Sequence, residues 1–451
     1  MWRRTLVLAL VLCVAIVLRY RGYVAVYAPR TYARKKRGAR VPPLIGYATA
    51  PFQNERPASE QCTTLWAEFA HRLQPEGMGT SPCHADTEKL ARDLRRAKHD
   101  VPAMSAFRFG VDWARVEPRE GTIDARALAA YVETARVCVA SGLRPIVTLF
   151  HFVEPRWFSD RGGFAAASSA QTFARFAEVC GAALAAYRPI FVTLNEPFLF
   201  AMLGYGVGRR PPFVRSVPTC LDVMCNLIRA HDAAYAVLAP HGLVTIAKNL
   251  MPIYPRSSAS PVEVILAREL HTLLNASYLE WATTGALALR FGPFRRRVRT
   301  TNTLDVLGVN HYTSATIRFT GFGVELDMGT GTQEKCAAGW ALDPAALSAT
   351  LAMIDATVGT RFPLLFTELG SAQVGAERAQ DTYTSACYAI LTEYARGTGN
   401  LLGVLAWTLV DNFEWELGTA ARFGHYSVTG EKRALVDLFA QFATSLGPCA
   451  V

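Results

Sequence analysis

From Pro43 onward the chain alternates between short, nearly continuous apolar runs and stretches whose apolar residues recur at helical spacing. Eight runs stand out: Leu44 to Ala50, Ser105 to Trp113, Arg144 to Phe152, Ile190 to Pro197, Leu243 to Leu250, Leu304 to Tyr312, Leu364 to Gly370 and Leu401 to Leu409. Runs this continuous predict parallel strands covered on both faces, and the segments between them predict helices. The clearest helix follows Asp124, an N-cap candidate, and places Leu128, Tyr131, Val132, Ala135 and Val139 on one face before Gly142. Another carries Leu90, Leu94 and Ala97 between charged neighbours. Eight strands each followed by helical sequence point to an α/β fold, a (β/α)8 TIM barrel, whose reactive groups belong where strands end. No internal repeat and no linker follow Arg40, so residues 41–451 read as one domain behind a leader, residues 1–40.

Length agrees with this, since a barrel spends ~250 residues or more on one domain and 451 are present. With 51% hydrophobic, 11% aromatic and 19% charged residues, the chain is neither disordered, nor collagen-like, nor a small disulfide scaffold. The net charge of +10 suggests a polyanion partner until it is located. Ten of the 47 basic residues lie in the leader, which has no acid, and the body balances 37 basic against 37 acidic residues. A nucleic-acid-binding body is therefore disfavoured.

The leader places fourteen uncharged residues, Thr5 to Leu18, between Arg3-Arg4 and Arg19. Fourteen falls short of the ~20 that span a bilayer and matches a signal-peptide core of ~7–15. The flank is bulky and basic with no small-residue cleavage site, which favours a retained N-terminal membrane anchor over a cleaved signal or an organelle presequence. The basic excess C-terminal to the run would keep the body on the cytosolic side, and Arg34-Lys35-Lys36-Arg37 would meet anionic lipid. The alternative is secretion after cleavage. Ten scattered cysteines form no dense framework and suit reduced thiols, and the single triplet Asn275-Ala276-Ser277 does not overturn that.

The predicted strands end in chemistry. Gln53, Arg108, His151, Asn195 with Glu196, Asn310 with Tyr312, Glu368, and the run Trp407 to Trp415 all stand where a buried strand should turn into a loop. Any one of these reads equally well as a cap or a satisfied core polar group. Seven such ends together point to a shared site. Two carboxylates at one barrel mouth, Glu196 and Glu368, suit double displacement at an acetal carbon, given ~5–5.5 Å between them. One attacks, while the other protonates the departing oxygen and then activates water. Arg108 would hold Glu368 ionised, Glu196 would keep its proton, and Tyr312 would orient the nucleophile. Trp407 and Trp415, interleaved with Glu414, have the character of a sugar platform.

The segments at 43–53, FRFGVDWARVEP at 107–118, TLFHFVEPRWF at 148–158, TLNEPF at 193–198, LDVLGVNHY at 304–312, FTELG at 366–370 and WTLVDNFEW at 407–415 resemble glycoside hydrolase family 1, the retaining β-glycosidases. The resemblance runs in order from about residue 43 to residue 436. It implies Glu196 as acid/base, Glu368 as nucleophile and Asn195 near the sugar 2-hydroxyl. It also implies Gln53, His151, Glu414 and Trp415 around the glycone, Trp407 as platform, and Arg108, Asn310 and Tyr312 around the nucleophile. Glu414 further implies a neutral hexose, because a carboxylate there would repel a phosphorylated one. The chain departs from the family pattern at Leu369, where an Asn is usual, at Phe152, where a Trp is usual, and in a short segment between strands five and six.

Three functions compete. The first is hydrolysis of β-linked glucosides or galactosides. The second is transfer: the leader, GVDWAR, TLFH and FLFAML look similar to the galactolipid galactosyltransferase branch of the same family, which implies a lipid-linked substrate and a sugar hydroxyl in place of water. The third, a catalytically dead sugar-binding barrel, is disfavoured because both carboxylates are present. Cys220 and Cys225 lack further ligands at zinc spacing, Gly204, Gly206 and Gly208 do not fit a dinucleotide fingerprint, and His84, His231 and His425 read as structural. The sequence thus calls for no metal and no cofactor, and leaves the aglycone and oligomeric state open.

Overall fold

The computed structural model describes residues 43–55, 64–73, 86–321, 323–328, 334–373 and 377–447. Eight parallel strands close into a barrel: β1 (Leu44–Ala48), β2 (Ala106–Gly110), β3 (Arg144–Phe150), β4 (Ile190–Asn195), β5 (Leu243–Asn249), β6 (Leu307–His311), β7 (Leu364–Leu369) and β8 (Leu401–Trp407). Each strand pairs with its neighbours in sequence, and β8 returns to β1 through pairs such as Gly46↔Leu405. All eight expected runs became these strands, shortened where the apolar stretch runs on into the loop above. Gly46 permits the close β1–β2 approach, since a Cβ there would meet the Ala106 carbonyl oxygen at 2.0 Å.

Two apolar layers hold the barrel. Small and branched residues fill its lumen, including Ala48, Ile146, Val192, Ala247 and Leu405. A larger layer, with Phe107, Trp113, Phe173 and Phe176 among its members, lies between strands and helices. The helix Ala125–Ala140 is capped by Asp124, whose carboxylate accepts from the Arg126 and Ala127 amides. Its buried face carries Tyr131, Ala135 and Cys138, whereas Val139 is exposed, because the stripe turns by one position at the last turn. Leu90, Leu94 and Ala97 are all buried on Thr87–Asp100.

The segment between β5 and β6 is short yet structured. It holds a helix at Pro261–His271, a wide turn at Thr272–Ala276, a helix at Ser277–Thr284 and an antiparallel ribbon of Ala286–Phe291 with Phe294–Arg299. Asn275 is buried there, its amide bonded to both backbone groups of Met251, so the triplet offers no glycan acceptor in the folded chain. The leader lies outside the described residues, as does His84. Among the described residues no helix is long and apolar enough to cross a membrane.

Candidate active site

The strands deliver their polar residues to one cavity of about 230 Å3 at the C-terminal end of the barrel. Its lining includes Gln53, His151, Asn195, Glu196, Tyr312, Glu368, Trp407, Glu414 and Trp415. The two carboxylates share a local device. In β4 the register against β5 slips by one residue before Asn195, and in β7 the register against β6 slips by one before Glu368. Such irregularities re-aim a side chain at the end of a strand. Glu196 then adopts a left-handed backbone, φ 47°, as Pro197 opens the next helix and the Glu196 amide donates to the Ala247 carbonyl at 2.7 Å. Phe152 and Trp415 also have positive φ and line the same cavity. Backbone strain of this kind concentrates where a fold holds reactive groups in place.

Glu368 is gripped from two sides. Arg108 Nη1 donates to its Oε1 at 2.6 Å and the Tyr312 hydroxyl to its Oε2 at 2.5 Å. The remaining donors of Arg108 go to Thr148 Oγ1, the Thr367 carbonyl and Asn195 Oδ1. Asn310, expected beside the nucleophile, gives its amide to Glu196 Oε1 at 2.9 Å and to Asn195 Oδ1 at 3.1 Å. Thr367 fixes that orientation by donating to Asn310 Oδ1.

The two carboxyls differ in electrostatics. Burial, then the charge of Glu368, pushes Glu196 up to about 7, against Asn310, Lys248 and Arg210. Burial also raises Glu368, but Arg108, Tyr312 and Asn310 pull against it. Glu368 has a guanidinium and a phenol in direct contact, whereas Glu196 has the Asn310 amide in direct contact and Lys248 and Arg210 acting only through their charge, which leaves Glu368 the first to ionise and Glu196 the holder of the proton.

Elsewhere in the cavity, Gln53 donates to Glu414 Oε2 at 3.1 Å and Trp407 Nε1 to the same oxygen at 3.4 Å. Burial raises Glu414 to about 8. The His151 ring is 5.9 Å from that of Trp407 and 6.0 Å from that of Trp415 and nearly parallel to both. Its Nε2 accepts from the Asn195 amide at 3.2 Å, and burial keeps the ring neutral, leaving its proton on Nδ1, which has no partner among the described residues. At the departures from the family pattern, Phe152 packs edge-on to Trp415 and parallel to Phe200, and Leu369 is buried.

Two cations escaped the sequence reading. Arg210 pairs bidentately with Glu416, both contacts at 2.8 Å, and covers Trp66, Phe152 and Trp415. Lys248, buried on β5, donates to the Asn249 carbonyl and faces the rings of Phe198 and Tyr278. Lys248 had a legible signal, a lone charge inside the apolar run LVTIAKN. Cys220 and Cys225 are buried on the helix Val217–Leu238, Gly204 and Gly206 lie at its approach, and His231 and His425 bond to Thr193 and Tyr47 respectively.

The family pattern of glycosyl hydrolase family 1 matches residues 44–437. The chain belongs to that family. It is similar to beta-glucosidase A of Acetivibrio thermocellus, 26% identical over 424 residues that cover 84% of this chain and 91% of the relative. Beta-glucosidase A of Thermotoga maritima is also 26% identical, over 87% of this chain and 94% of its own. Among solved structures, a beta-glycosidase from Pyrococcus horikoshii superposes with a TM-score of 0.78 at 25% identity, covering 90% of this chain and 96% of the other. This family 1 chain is accordingly a glycoside hydrolase with the (β/α)8 barrel that its sequence called for.

Proposed function

We propose that this family 1 chain is a retaining β-glycosidase that hydrolyses β-linked glucosides or galactosides, with Glu368 as nucleophile and Glu196 as acid/base. The observation that carries the reading is the unequal partnering of two buried carboxyls in one cavity: Arg108 and Tyr312 on Glu368, the Asn310 amide on Glu196. In the first step a Glu368 oxygen bonds to the anomeric carbon as the bond to the aglycone oxygen breaks, and that oxygen takes the proton of Glu196. In the second, Glu196 removes a proton from water, whose oxygen bonds to the anomeric carbon as Glu368 departs. Arg108 and Tyr312 keep the attacking oxygens in place through both steps, while Gln53, His151, Asn195, Glu414 and Trp415 hold the glycone over Trp407.

A cyclophellitol-type epoxide tests this directly. It should esterify Glu368 in the wild type and leave Glu368→Gln unlabelled; a folded wild type that stays unlabelled would contradict the reading. Transfer to a sugar hydroxyl passes through the same ester, so product analysis with a galactolipid separates the two outcomes. Free galactose supports hydrolysis, and oligogalactolipids support transfer.

A further inference from the structure

The cavity changes character from floor to rim. Gln53, Trp407, His151 and Glu414 are all buried, whereas a second group of lining residues, buried only at Met251 and otherwise half-buried to exposed, is built of aliphatic and thioether side chains. Leu199, Met202 and Leu203 come from the chain just after Glu196, Met251 from the turn after β5, and Leu326 and Met328 from the hairpin that pairs Ala315–Phe319 with Val324–Asp327. Asn275 holds Met251 in place from behind through both of its backbone groups. Because three of the six follow Glu196 directly in the chain, this wall borders the carboxyl that protonates the leaving group.

Two polar groups of the rim are committed elsewhere, while Arg209, 72% exposed, and Asn249 also line it. Both oxygens of Glu416 are taken by Arg210, and the Thr313 hydroxyl donates to the Ala341 carbonyl. Trp340, the aromatic ring on this side, packs edge-on against Tyr312 and tilted against Phe423. Against six aliphatic and thioether side chains, a second sugar ring would find here the Asn249 amide, the Trp340 indole and a carboxylate already paired with Arg210. Leucine and methionine walls instead adapt to a flexible chain, and Leu326, 43% exposed, leaves the wall open outward.

Resting on the retaining-glycosidase reading, we infer that this wall is an aglycone subsite for a linear hydrocarbon chain, so that the preferred substrates are β-glycosides of long-chain alcohols or lipids and not disaccharides. The test uses the full chain and non-hydrolysable methyl, butyl and octyl 1-thio-β-glucosides and 1-thio-β-galactosides, titrated calorimetrically below micellar concentrations, with thiocellobiose as the sugar-aglycone competitor. Burial of a methylene in an apolar wall strengthens binding up to about fourfold, so Kd should fall at least about tenfold from methyl to octyl. The octyl-to-methyl ratio should shrink severalfold in the double variant Leu203→Gln, Leu326→Asp. A Kd independent of chain length, thiocellobiose binding more tightly than the octyl compound, or a ratio unchanged in the double variant would overturn the inference. Binding needs no turnover: a chain-length slope without epoxide labelling of Glu368 would count against the catalytic reading and leave the subsite standing, and a flat series with labelling would do the reverse.

Discussion

Arg108 and Glu368 form a buried ion pair, Nη1 to Oε1 at 2.6 Å, in which the guanidinium is wholly enclosed. Removing one member of such a pair strands the other charge in a low-dielectric interior, which costs about 3–5 kcal/mol. Arg108→Met should therefore lower the denaturation midpoint markedly. It should also raise the pH at which Glu368 ionises, moving the acid limb of kcat/KM upward. Unchanged stability together with an unmoved acid limb would mean that the pair does not govern the nucleophile.

The alkaline limb should belong to Glu196. Its carboxyl must carry a proton when the aglycone leaves, and burial with the neighbouring Glu368 charge sets it at about 7. kcat/KM should thus fall as pH rises through that region, the apparent values being properties of the coupled carboxyl pair. The positive charge of Lys248 favours ionised Glu196, and burial lowers Lys248 itself to about 7. Arg210 pulls Glu196 in the same direction, and the Lys248 charge helps to keep His271, on the neighbouring helix, neutral. Lys248→Met should move the alkaline limb upward with little loss of stability, since an apolar chain suits the Phe198 and Tyr278 rings. A limb that stays put or moves downward would show that Lys248 does not act on the acid.

Glu414 offers a separate check on the glycone end. Leaving a buried polar group without its hydrogen-bond partner costs about 1–3 kcal/mol, so Glu414→Gln should reduce kcat/KM for neutral glycosides about 5- to 100-fold while leaving the fold intact. A loss below threefold would remove Glu414 from the sugar site. The same variant should tolerate a 6-phosphorylated glycoside better than the wild type does, measured as the ratio of the two kcat/KM values.

Much of this was legible in the chain because parallel barrel strands, covered on both faces, leave long apolar runs, and a polar residue at the end of each run is conspicuous. Helix faces were legible to within a turn, as the exchange of Val139 for Cys138 on the buried side shows. What stayed hidden depends on register across strands. Asn310 reaches Glu196 because β4 and β7 each slip by one residue, and nothing local in the sequence announces either slip. Arg210 reaches Trp415 and Glu416 across more than 200 residues of sequence, and the apolar rim is assembled from three separate segments.

Trapping the glycosyl-enzyme tests the central claim most directly. A 2-deoxy-2-fluoro-β-glycoside with an activated leaving group should add one glycosyl mass to the wild type, and peptide mapping should place it on Glu368. No adduct on a folded protein, or an adduct on any other residue, would contradict the account.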